Sequence, residues 1–307
     1  MHKILEDYKV EFEKELKNYL KDITSENVIT RAYNYSILNG GKRIRPILVY
    51  LGAISVSNDL KNIPGLISNL SIGIELIHSY SLVHDDLPCM DNDKYRRGKL
   101  TTHAKFGAGM ATITGDAMLN GAAEVMLSCI NNDFAMNYPY VNNNYKAQIN
   151  AARYILDCSG LYGMIGGQAI DIQNKKLSKD ELLSMYKLKT SALLKGALVA
   201  GAMRFEADDE IISKFIEYAD NFGIVFQIVD DILDKTSTKE ILGKDVNQDS
   251  NNNKNTYVDL VGGIDQAKKD CEMYANNAIN AIKSIENKIQ YADIFYDFIE
   301  SMLNRQK

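Results

Sequence analysis

A chain of 307 residues is long enough to bury a sizeable core, and its net charge of −5 argues against nucleic acid as the main partner, since that partner leaves a basic footprint. Its four cysteines, Cys89, Cys129, Cys158 and Cys271, have neither zinc-site spacing nor the density of a secreted disulfide scaffold. No apolar run of roughly 18 residues is present to span a bilayer. The opening MHKILEDYKVEFEKELKNYL is a charged amphipathic helix rather than a signal peptide, so a cytoplasmic chain without a membrane span is expected.

Only four prolines interrupt the chain, and Leu, Ile, Ala, Lys and Glu recur at helical spacing, which predicts an all-α fold. Residues 1–37 read as one amphipathic helix and the start of a second, stopped at Gly40-Gly41. Segments 46–57, 66–87, 101–130, 148–173, 179–204, 208–236 and 263–303 each carry apolar residues at i, i+3, i+4, giving about ten helices once the long ones are divided. No β-alternation stands out. Two polar stretches, 131–145 and 235–255, read as excursions, and the second is expected to act as a mobile flap over a site. Segment 107–123 is so rich in Gly and Ala that its helix can approach a neighbour closely. With neither linker nor internal repeat, residues 1–307 are expected to form a single domain.

Two aspartate clusters stand out: Asp85-Asp86-Leu-Pro-Cys-Met-Asp91, followed by Asp93, and Asp230-Asp231-Ile-Leu-Asp234. Either alone is weak evidence, because such a pattern arises by chance in about one comparable chain in six. In the second, Gly223, Gln227, Asp230 and Asp234 share one helix face, while Asp231 is turned about 100° away. Unpaired carboxylates in so apolar a run are costly to bury. A hard divalent cation such as Mg2+ resolves the conflict, taking carboxylate oxygens and keeping other positions for water and phosphates. In the first cluster Pro88 should end the helix, so Asp91 is expected to return from a turn to Asp85. His78 lies two turns deeper on the Asp85 face.

Four of the eight arginines fall in two tight pairs, Arg43/Arg45 and Arg96/Arg97, which suits bidentate recognition of a phosphate. Lys42, Arg45, Arg96, Arg97, Lys189, Lys244 and Lys254 are the candidates for holding a diphosphate. Each lysine separately reads more simply as a solvated surface charge.

Seven segments together carry more weight: GGKRIRP (40–46), LIHSYSLVHDDLPCMDNDKYRRGKLTTH (76–103), GGQAID (166–171), KTSALL (189–194), FQIVDDILD (226–234), LGKD (242–245) and NKNTY (253–257). In order and spacing they resemble the signature motifs of trans-prenyl diphosphate synthases. The resemblance implies a bundle of antiparallel helices around a deep central cavity, a homodimer, and isopentenyl and allylic diphosphates as substrates. It implies that Asp85 and Asp91 hold two Mg2+ and Asp230 a third, with Asp86, Asp231 and Asp234 completing the catalytic carboxylates. Lys42, Arg45, His78 and Arg97 would bind isopentenyl diphosphate. Arg96, Lys189, Lys244 and Lys254 would hold the allylic diphosphate, with Thr190 and Gln227 lining the reacting carbons. Ionisation of the allylic diphosphate to a carbocation, attack by the isopentenyl double bond and proton loss to the departing diphosphate follow from the same resemblance.

The sequence departs from the family pattern at Lys94-Tyr95, where an acidic–leucine pair is usual, and at Leu100, where proline is usual. For product length, Tyr80 lies about 7.5 Å deeper than Asp85 by helical rise. Rotation alone favours Ser81 as the residue below Asp85. The resemblance instead makes Tyr80 the floor, and with the Pro88-Cys89 insertion it is similar to the bacterial farnesyl pattern, implying a fifteen-carbon product with twenty carbons as the alternative. A terpene cyclase would not need the second basic set of Lys42, Arg45 and His78, and a non-catalytic partner subunit would be expected to have lost an aspartate cluster.

Overall fold

The computed structural model describes residues 2–23, 25–135, 145–173, 175–236 and 256–305, the side chains of 129–135 excepted. The chain opens with α1 (Lys3–Lys21), which buries Leu5, Tyr8, Phe12, Leu16 and Leu20 at the three- and four-residue spacing of a single face. α2 (Val28–Ile37) follows, started by the Asn27 side chain accepting from Thr30 N–H. A turn with positive φ at Gly40 and Gly41 leads into α3 (Ile44–Val56), which is buried from Pro46 to Ser55. That nearly continuous burial explains why α3 has no polar stripe in its sequence.

α4 (Ile63–Asp85) is apolar and long enough to cross a membrane by composition, yet 67% of its most apolar window is buried within the protein, as in a core helix. Beyond it come a two-stranded hairpin, β1 (Tyr95–Arg96) and β2 (Lys99–Leu100), then α5 (Thr102–Phe106) and α6 (Ala108–Ala135). α7 (Tyr145–Ser159), α8 (Met164–Asp171) and α9 (Lys179–Tyr186) lead into a π-helical turn (Lys187–Ser191) and α10 (Ala192–Arg204). α11 (Asp209–Thr236), α12 (Tyr257–Leu260), α13 (Ile264–Lys283) and α14 (Ala292–Leu303) complete the described elements. α4 packs along α6, α3 along α10 and α11 along α13, and one apolar cluster runs from Leu5 to Met302.

The all-α expectation holds, with three local differences. The stretch 148–173 is broken at 160–163, and 263–303 at 284–291, where short turns replace a continuous helix. The hairpin was not legible by alternation because each strand has two residues; its turn residues Arg97 and Gly98 have φ of 53° and 75°, the mirror-image turn that matches strand twist. The Lys244 and Lys254 positions and most of the expected flap lie outside the described residues.

Arg43 and Arg45 are two positions apart and do different work. Arg43 takes a left-handed φ of 54° before α3, which turns its guanidinium inward. There Nε donates to Glu13 at 2.7 Å, Nη1 to Glu75 at 2.7 Å and Nη2 to the Ile37 carbonyl at 3.0 Å, tying α1, α4 and α2 to one buried charge. The paired-arginine signal in the sequence was therefore half structural. Replacing Arg43 with Ala leaves Glu75 buried without its partner and is expected to cost about 3–5 kcal/mol of stability, read by urea unfolding. A loss below about 1 kcal/mol would mean that water takes over the carboxylate.

Candidate active site

α4 ends at Asp85, and the chain folds back through Pro88. Met90 N–H donates to Leu87 O at 2.9 Å and Asp91 N–H to Asp85 O at 2.9 Å, so the turn returns Asp91 to Asp85 as its spacing suggested. Burial chiefly, together with the Asp91 charge, pushes the Asp85 carboxyl up to about 6 although Lys189 and Arg96 pull the other way. Asp86 points elsewhere. It is buried against Arg96, whose Nε and Nη2 donate to it at 2.8 and 2.6 Å, and burial still leaves its pKa raised.

Across the hairpin, Arg97 donates to the Gly40 carbonyl, and its guanidinium lies where a Gly41 side chain would be. The GGKR turn and the RRG turn are thus one unit. A polar cavity of about 30 Å3 opens among Asn39, Glu75, His78, Asp86, Arg96 and Arg97. Burial pushes the Arg45 guanidinium down to about 10, partly relieved by Glu75 and aggravated by Arg97; its Nε has no partner among the described residues. His78 is held neutral by burial first and then by the charges of Arg45, Arg97 and Arg96. Lys42 is also pushed down, by burial and Arg305, against the pull of Asp230. Arg45, His78 and Arg97 therefore form one electropositive group, whereas Lys42 lies by Arg305 and Asp230.

Lys189 and Thr190 sit on the π-helical turn, a local widening found where helices re-aim side chains. Two glycines make room for it. A Cβ on Gly167 of α8 would lie 2.3 Å from Lys189 N, and one on Gly223 of α11 would lie 2.1 Å from Ser191 Oγ. Lys189 Nζ donates to Asp171 at 2.6 Å; burial opposes its charge, but Asp171 and Asp85 outweigh burial and raise its pKa. Asp171 had no role in the sequence reading, nor did Gln168, whose buried Nε2 has no partner among the described residues. Their i, i+3 spacing within GGQAID was the available signal.

On α11, Gln227 and Asp234 are half-buried, and Asp230 accepts from Arg305 Nη1 at 2.6 Å. The Arg305 guanidinium also lies 4.9 Å from the Phe226 ring centroid, a contact invisible in sequence because it joins positions 79 apart. Asp231 faces the other side of the helix, as its rotation suggested. It is buried there, accepting Tyr186 O–H at 2.6 Å and Tyr257 N–H at 2.6 Å, and so anchors α12. Ser81, favoured by rotation, turns its hydroxyl back to the His78 carbonyl at 2.9 Å. Tyr80 is buried, its hydroxyl has no partner among the described residues, and burial with the Asp85 charge pushes its pKa up to about 12.

Among the described residues no three His, Cys, Asp or Glu side chains converge as a ready-made metal cage. Asp85 beside Asp91 is a pair of hard oxygen donors set against each other, a partial set of the kind that Mg2+ completes with water and substrate phosphates. The residues fit that ion.

The profile of the polyprenyl synthetase family matches residues 26–293. A farnesyl diphosphate synthase of Micrococcus luteus is 36% identical over 264 residues, covering 85% of this chain and 85% of its own. A geranylgeranyl diphosphate synthase of Cyanophora paradoxa is 34% identical over 273 residues, covering 88% and 86%. The crystal structure of a geranyltransferase from Helicobacter pylori, complexed with magnesium and isoprenyl diphosphate, is similar with a TM-score of 0.79 and 26% identity, over 99% of this chain and 97% of that one. This chain belongs to the polyprenyl synthetase family and is a prenyltransferase.

If Asp231 is an anchor, Asp231→Ala removes the carboxylate that accepts from Tyr186 O–H and Tyr257 N–H and should lower stability by about 1–3 kcal/mol while metal dependence stays as in the wild type. Thermal unfolding beside a magnesium titration checks this. A variant of unchanged stability that has lost its response to Mg2+ would return Asp231 to the ligand set.

Proposed function

We propose that this prenyltransferase is a Mg2+-dependent farnesyl diphosphate synthase, a single-domain chain working as a cytoplasmic homodimer that adds isopentenyl diphosphate to dimethylallyl and then geranyl diphosphate. One observation carries the reading: Lys189 faces the first carboxylate pair, and Arg97, tied to the GGKR turn at Gly40, stands with Arg45 and His78 close by, an arrangement that supports two differently made anion sites beside one set of metal-type ligands. A cyclase needs one such site; condensation needs two.

Three Mg2+ bound by Asp85, Asp91 and Asp230, with Asp86 and Asp234 in support, would neutralise the allylic diphosphate and make its departure easier. Lys189 and Arg96 hold that diphosphate, Lys189 with a charge reinforced by Asp171; Lys244 and Lys254 belong to the same set by motif. Lys42, Arg45 and Arg97 hold the diphosphate of isopentenyl diphosphate, and neutral His78 donates to it without adding charge. As the allylic C–O bond breaks, the Thr190 hydroxyl and Gln227 amide oxygen stabilise the cation as weak dipoles that do not capture it. The isopentenyl double bond supplies the electrons of the new C–C bond, and the departing diphosphate takes the proton. Tyr80, buried below Asp85, supports a tail that stops at fifteen carbons.

Incubation with isopentenyl and geranyl diphosphates plus Mg2+, followed by mass analysis, tests this. Fifteen-carbon diphosphate is expected; mainly twenty-carbon product would reject the farnesyl assignment, and a cyclised hydrocarbon would reject condensation. Asp85→Asn and Asp230→Asn should each lower turnover by several orders of magnitude with the fold intact, and chelator should abolish it. Full activity in chelator would sink the metal assignment.

A further inference from the structure

We propose that His84 sets product length from behind, as a positioning residue that holds the Tyr80 ring in place. The inference rests on the reading of Tyr80 as the floor of the tail site. His84 lies one helical turn after Tyr80 on α4, and their rings meet edge to face, with centroids 5.8 Å apart and planes at 75°. Its Nε2 is 3.0 Å from the Thr112 carbonyl on α6 and 3.9 Å from the Asp116 carboxylate. The imidazole reaches this position because residue 115 is glycine: a Cβ there would lie 2.0 Å from Nε2. Thr112, Gly115 and Asp116 are spaced i, i+3, i+4, so one stripe of α6 cradles the ring.

The consequence follows from what Tyr80 lacks. Its hydroxyl finds no hydrogen-bond partner among the described residues, so no polar bond fixes the ring and its orientation is set by packing. A floor held by packing is only as firm as its support. A growing apolar tail gains by burying itself deeper, and without the imidazole the notch above Gly115 becomes space into which the Tyr80 ring can tilt. His84 touches neither diphosphate nor reacting carbon in this scheme and acts through Tyr80.

The test compares product ratios from wild type, Tyr80→Ala, His84→Ala, His84→Gln and His84→Phe, with the rate of the first condensation and the unfolding midpoint measured alongside. His84→Ala should raise the ratio of twenty- to fifteen-carbon product about tenfold, the scale set by burying one or two more apolar groups, with little change in the first condensation. His84→Gln keeps a donor for the Thr112 carbonyl but no ring, so it should also lengthen the product. His84→Phe keeps the ring and should hold the wild-type ratio. If His84→Ala does not fold, the Gln and Phe pair decides alone. Longer product from Tyr80→Ala with an unchanged ratio in His84→Ala and His84→Gln overturns the role of His84 and leaves the floor reading intact. No change in Tyr80→Ala removes the floor reading itself. A uniform loss of rate at constant ratio in the His84 variants would show a merely structural role and overturn the proposal.

Discussion

The constraint on which this structure depends is that its rim charges are held where burial penalises them. On one side burial pushes Arg45 down to about 10 and lowers Lys42, Arg97 and His78; on the other it pushes Asp85 up to about 6. Both shifts follow first from burial, which opposes either charge, and the neighbouring opposite charges, Lys189 and Arg96 at Asp85 and Glu75 at Arg45, offset it only in part. An anion of several charges relieves the cations, and a dication relieves the carboxylates. A metal–diphosphate complex does both at once. The contacts of Lys189 with Asp171, Arg96 with Asp86 and Arg305 with Asp230 temper this mismatch in the ligand-free protein.

Such a region is unstable unless the fold holds it together. Arg43 does part of this by crossing from Glu13 to Glu75 inside the helices, and Glu75 also eases the burial of Arg45 and Arg97. The close seating of the π-helical turn on Gly167 and Gly223 does another part, fixing Lys189 by backbone contact rather than by side-chain reach. Asp231 joins α11 to α12, so the two ends of the segment carrying Lys244 and Lys254 are tied together, with Lys235 and Asp259 adding a second link at 2.9 Å.

Much of this was legible in the sequence, because helical periodicity and the turn forced by Pro88 are local matters. The return of Asp91 to Asp85 followed from proline geometry, and the rotation of Asp231 away from Asp230 followed from helical pitch. What escaped was decided by tertiary packing or by backbone states that leave no compositional trace. The left-handed φ of Arg43 separates it from Arg45, the π-helical turn looks like ordinary helix, and Arg305 meets Asp230 from the far end of the chain. Gly115 is one small residue among many in its segment, and only the packing of the His84 imidazole into its place distinguishes it.

The central claim is that the two sets of rim charges are relieved together, and its most direct measurement is the unfolding midpoint with Mg2+ alone, inorganic diphosphate alone and both. Ligands stabilise in proportion to their affinity for the folded state, so the account predicts small shifts from either component and a shift from both that exceeds their sum. A full shift from diphosphate without metal, or simple additivity, would contradict it.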